Sequence, residues 1–148
     1  MPIPLLPPPA PHDVVTARPA VVLPSVVRGW ARAVMEGLFA SDAGAPDPAR
    51  VEAVLDDFLD FLARSPSRGR AIMVLSLFFL AWLAPLFVGR LPTLDGLDPD
   101  LRAEALDRVE RGLFGPAALA PKAILCLLWF EHPDTRAETR TEVTCLTP

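Results

Sequence analysis

An uncharged apolar run, Ala71 to Val88, constrains this chain more than any other feature. Its eighteen residues are apolar apart from Ser76, and Pro85 lies near the far end. As a helix the run is about 27 Å long, at the lower limit for crossing a bilayer core. A helix apolar all round is equally suited to the middle of a bundle, where several neighbours cover it at once. Arg68 and Arg70 precede the run, Gly89 is a suitable C-terminal stop, and Arg90 follows. Composition does not separate a buried helix from a membrane span, and both readings stand at this point.

The segments around the run are amphipathic at helical period. Val26, Val27, Trp30, Val34, Leu38 and Phe39 share one face, with Arg28, Arg32 and Glu36 opposite and Ser25 as an expected N-cap after Pro24. After the loop at residues 41–46, Asp47-Pro48 supplies a cap and a first-turn proline for a second helix. Its apolar face is Val51, Val54, Leu55, Phe58, Leu59 and Leu62, and its acidic face holds Glu52, Asp56, Asp57 and Asp60. Ser65-Pro66-Ser67 opens the apolar run. Asp98-Pro99 repeats the cap device for a fourth helix, with Leu101, Ala105, Leu106, Val109 and Leu113 expected inward. Arg102, Glu104, Asp107, Arg108, Glu110 and Arg111 are expected outward. A last apolar stretch, 117–130, contains Lys122, with Pro121 marking a second start or kink and Pro133 stopping it. No strand alternation occurs, so the expected fold is all-α, a helical bundle of about five helices with a Pro-rich extended N-terminal leader. The domain layout is a leader at 1–24, a bundle at 25–131 and a polar tail at 132–148. Phe58, Leu62, Leu75, Phe79, Trp82 and Val109 are the expected core.

Charge narrows the range of partners. The formal net charge is −4, and Lys122 is the only lysine beside thirteen scattered arginines, which argues against nucleic acid. The hydrophobic fraction of 51% and mean hydropathy of +0.34 leave apolar surface that must face a protein or lipid. Met1 to Pro11 has no basic residue before its apolar part and is broken by prolines, so no signal peptide is expected. The chain is placed in the cytoplasm, with membrane association open through 71–88 and, less well, 117–130, where Lys122 is costly in lipid. Cys126 and Cys145 make no disulfide framework, and Cys126 reads as a small buried hydrophobe.

Catalytic chemistry finds little support. His12 and His132 are the only histidines, and Glu131-His132-Pro133-Asp134 falls where a helix should end. The glycines build neither G-x-G-x-x-G nor a phosphate-cradling loop. Ser65, Ser67 and Ser76 lie outside any nucleophile-elbow pattern. The acidic face at Glu52, Asp56 and Asp57 has no His or Cys at ligand spacing and reads as a solvated surface. No catalytic, cofactor-binding or metal-ligating residue is assigned.

One resemblance supplies a function. After the apolar helix come Asp98-Pro99, Arg102, Glu110, Arg111 and Phe114, then Lys122, Trp129, Phe130 and Pro133, over about half the chain. This order resembles the gluconate 2-dehydrogenase subunit 3-like family of small helical subunits. The resemblance implies a non-catalytic accessory subunit without a cofactor of its own. It would stabilise or tether a large FAD-binding GMC-type catalytic partner, an oxidoreductase. The aromatic pair is Trp-Phe where the family often has Tyr, and the export signal common in such subunits is missing. The alternative is a small membrane protein with one span at 71–88 and a second at 117–130.

Overall fold

The structure, a computed structural model, describes residues 20–40, 44–91, 93–135 and 137. The expectations for residues 1–19, for Cys145 and for the tail from 138 onward lie outside the described residues. Among the described residues five long α-helices follow one another: α1 (Ser25–Leu38), α2 (Pro48–Arg64), α3 (Ser67–Phe87), α4 (Pro99–Arg111) and α5 (Gly115–Glu131). A single 3-10 turn, Leu94–Gly96, joins α3 to α4. The fold is an all-α bundle, and no strand occurs among the described residues.

Local chemistry sets the helix ends. Asp47 accepts from the backbone N–H groups of Ala49 and Arg50, each at 3.3 Å, and Pro48 fills the first position. Asp98 and Pro99 occupy the same positions on α4, but the Asp98 side chain makes no capping bond. Ser25 is not the cap of α1; Pro24 takes that place and Ser25 is already helical. Gly89 adopts φ +70°, a left-handed conformation that ends α3 at low steric cost. Pro121 lies within α5, which runs through it without a restart. α5 ends at Glu131 with His132 as its C-cap, ahead of Pro133 as expected, and residues 133–135 are helical again, with Thr135 buried there.

α3 packs against all four other α-helices, and the core is shared among α1, α2 and α3. Val27, Ala31, Ala33, Val34 and Met35 are all buried, joined by Val54, Leu55, Phe58 and Leu62 of α2. Small residues allow close approach. A Cβ on Gly37 would sit 2.7 Å from Leu106 Cδ1 and 3.3 Å from the Arg102 backbone carbon, so α1 and α4 cross nearly in contact there. On α3 the buried residues are Met73, Ser76, Leu77, Leu80, Ala81, Ala84 and Pro85. This helix touches α1, α2, α4 and α5, yet one side of it faces outward. The expected core therefore holds for Phe58, Leu62 and Val109 but not for Leu75 (66% exposed) or Trp82 (51% exposed), and Phe79 is half-buried. Leu113, expected inward, is exposed in the turn after α4.

Candidate interaction surface

The outward side of α3 is a continuous apolar stripe. Ile72, Leu75, Phe79, Trp82 and Leu86 recur at alternating steps of three and four residues, which places them in one row along the helix. All are exposed except Phe79, which is half-buried, and no charge interrupts the row. The row is about 21 Å long at 1.5 Å per residue. The opposite side carries Ser76, Ala81 and Ala84, small groups that let neighbouring helices close on it. Met73, Leu77 and Leu80 are buried as well, so α3 divides its large side chains between the core and the outside.

Aromatic contacts fix the borders of the stripe. On one side Trp30 of α1 meets Phe78 edge-on with centroids 5.5 Å apart, and Phe78 lies 6.1 Å from Trp82. On the other, Phe114 lies 5.0 Å from Phe79 and 6.1 Å from Phe87, bringing the start of α5 against the stripe. Ring pairs in such edge-on or tilted arrangements contribute about 0.5–1.5 kcal/mol beyond the area they bury. A second apolar row, Leu119, Leu127 and Phe130, is exposed on α5, beside exposed Leu113.

The charged residues form ties between helices. Arg28 reaches Glu52 at 2.6 Å and Asp56 at 2.7 Å, and Arg32 pairs with Glu52, so α1 pairs with two carboxylates of the acidic face of α2. These carboxylates hold the Arg28 guanidinium proton more firmly than usual, Glu52 more than Asp56. The i, i+4 spacing of Arg28 and Arg32 against that of Glu52 and Asp56 is the signal for this pairing. Arg102, expected outward, is 15% exposed. It donates to the Leu97 and Asp95 carbonyls, each at 2.8 Å, and pairs with Glu36, fastening the 3-10 turn to α1. Lys122 contacts both oxygens of Glu110 at 2.6 and 2.7 Å, linking α4 to α5. Burial pushes the nearby Cys126 thiol up; Lys122 opposes that shift and Glu110 adds to it.

Trp129 stacks on Phe39 with centroids 4.2 Å apart, and Arg50 lies over the Trp129 ring at 5.3 Å. His132 Nδ1 is enclosed, 3.6 Å from an Asp134 oxygen. Among the described residues no group of three His, Cys, Asp or Glu side chains is arranged to hold a metal ion. Of the residues that carry the resemblance, Arg102, Glu110, Phe114, Lys122 and Trp129 pack or tie helices, whereas Phe130 is exposed. Sequence reasoning missed the outward stripe, although the three-four spacing was legible. In a run this uniformly apolar, spacing is masked unless residue size is read as well.

α3 is long and apolar enough to cross a membrane by length and composition, and 39% of that stretch is buried within the bundle. No such helix covers 117–130 among the described residues. No family model matches the chain, and neither a curated protein nor a solved structure matches it.

Proposed function

We propose that this chain is a non-catalytic accessory subunit that binds and stabilises a large FAD-dependent oxidoreductase of the GMC type, working in the cytoplasm. The carrying observation is the exposed apolar row Leu119, Leu127 and Phe130 on α5. It sits on the α4–α5 unit, which holds the residues that resemble the small-subunit family. Arg102, the Glu110–Lys122 pair and Trp129 stiffen that unit, and a rigid frame with an apolar outer row is what a docking subunit requires. FAD belongs to the partner in this reading, and no residue here is assigned to it.

The test is to isolate the tagged chain from its own cells and analyse what accompanies it. The expected result is a stable complex with a flavoprotein bearing G-x-G-x-x-G near its N-terminus. Leu127→Asp with Phe130→Asp should release that flavoprotein while leaving the small chain folded. A chain that binds flavin when expressed alone, or is recovered without any flavoprotein, contradicts the proposal. The length and hydropathy of α3 favour a second reading, a membrane-spanning small protein. Recovery only in detergent, with the flavoprotein present, would select it.

A further inference from the structure

We infer that the outward stripe of α3 is a membrane-contact surface that lies flat on an anionic lipid bilayer, held by arginines at its two ends. The charge pattern singles out this surface. Arg28, Arg32, Arg64, Arg102, Arg108 and Arg111 each pair with a carboxylate, and Arg50 stacks on Trp129. Among the described residues, Arg68, Arg70 and Arg90 have no carboxylate partner, and they are the arginines that flank the apolar stripe. Arg68 falls in the same helical row as Ile72 and Leu75, one turn ahead of the first apolar residue. Arg70, on the inner side, donates weakly to the Ala63 and Ser65 carbonyls. Arg90 follows the Gly89 stop and is exposed.

An apolar helical face with cations at both ends and tryptophan within it matches the lipid interface. Acyl chains accept the stripe, phosphates accept the guanidiniums, and an amphipathic indole suits the boundary. Charge argues against a second copy as the occupant. Paired in parallel, two α3 stripes set Arg68 against Arg68; paired antiparallel, they set Arg68 against Arg90. Packing argues against a span. α1 and α4 lie along the inner side of α3, and Arg108 of α4 donates to the Phe87 carbonyl at 2.6 Å. Crossing the bilayer would carry the Arg28, Glu52 and Asp56 network into hydrocarbon with α3. Lying flat wets only the stripe. The inference does not rest on the oxidoreductase reading, because the probe is lipid alone and the apolar row of α5 is not involved.

The experiment is sedimentation of the purified full chain with phosphatidylcholine vesicles, with and without phosphatidylglycerol, while following tryptophan emission. Binding is expected only with phosphatidylglycerol, with a blue shift that Trp82→Ser reduces, and with release by alkaline carbonate. Arg68→Gln and Arg90→Gln should each weaken binding about fivefold without changing the melting temperature. Leu127→Asp on α5 should leave vesicle binding intact. Failure of the wild-type chain to bind phosphatidylglycerol vesicles overturns the inference. So does binding indifferent to both arginines, retention through carbonate, or a dimer whose dissociation follows Trp82→Ser.

Discussion

Helices α1 and α3 cover their surfaces differently from what their compositions suggest. α3 is by far the more apolar, yet a row of its largest side chains faces outward. α1 carries two arginines and a glutamate and nevertheless buries Val27, Ala31, Ala33, Val34 and Met35 almost completely. The difference lies in residue size and spacing. On α1, Ala31, Ala33 and Gly37 let neighbours approach closely, and the charges are confined to a face that α2 and α4 neutralise. On α3 Ser76, Ala81 and Ala84 lie inward beside Leu77 and Leu80, and a row of bulky side chains is left on the outer side. Total hydrophobicity says how much apolar surface must be covered; the arrangement of small groups says where other helices cover it.

The comparison breaks first at buried leucines. Leu80→Ala should destabilise the chain by about 2–5 kcal/mol, whereas Leu86→Ala, on the same helix but facing out, should stay within about 0.5 kcal/mol. Urea unfolding of the two variants measures this. Equal losses would mean that α3 is enclosed on both sides. The α1–α4 crossing comes next. Gly37→Val forces a side chain against Leu106 and the Arg102 backbone and should cost roughly 1–3 kcal/mol. Gly29→Ala meets nothing within 4 Å and should stabilise by about 0.5–1 kcal/mol. Thermal melts of this pair separate tight contact from intrinsic helix propensity.

Arg102→Met tests the tie between α4, the 3-10 turn and α1. Loss of its carbonyl and carboxylate contacts should cost about 1.5–3 kcal/mol and speed amide exchange at residues 95–97. The smallest effect concerns Cys126. Its folded thiol pKa is raised, so any stability it contributes is complete below the unfolded value and declines as pH rises towards the folded one. In a Cys145→Ser background, alkylation of Cys126 at mildly alkaline pH should be slower in the native chain than in urea.

Much of the fold was legible because its signals are local. Asp47-Pro48 marked a helix start, Gly89 a stop, and the face of α2 was read correctly from Val51 to Leu62. What escaped required knowledge of neighbours. Arg102 belongs to the polar side of α4 by period, yet Glu36 and the Asp95–Leu97 carbonyls converge on it from elsewhere in the chain. Leu75 and Trp82 are as apolar as Leu77 and Leu80, and the side of α3 on which its neighbours pack decides between them. The outward stripe was present as spacing but hidden by a helix whose inner face is apolar too.

The central claim is that α3 has one buried and one open side in the free chain. Single cysteines along it, in a background lacking Cys126 and Cys145, test this most directly by their reactivity towards a maleimide under native conditions. Positions 72, 75, 82 and 86 should react close to the rate of the unfolded chain, and positions 73, 77, 80 and 84 far more slowly, with helical periodicity. Uniform protection along both rows would contradict the account and mean that α3 is enclosed on every side.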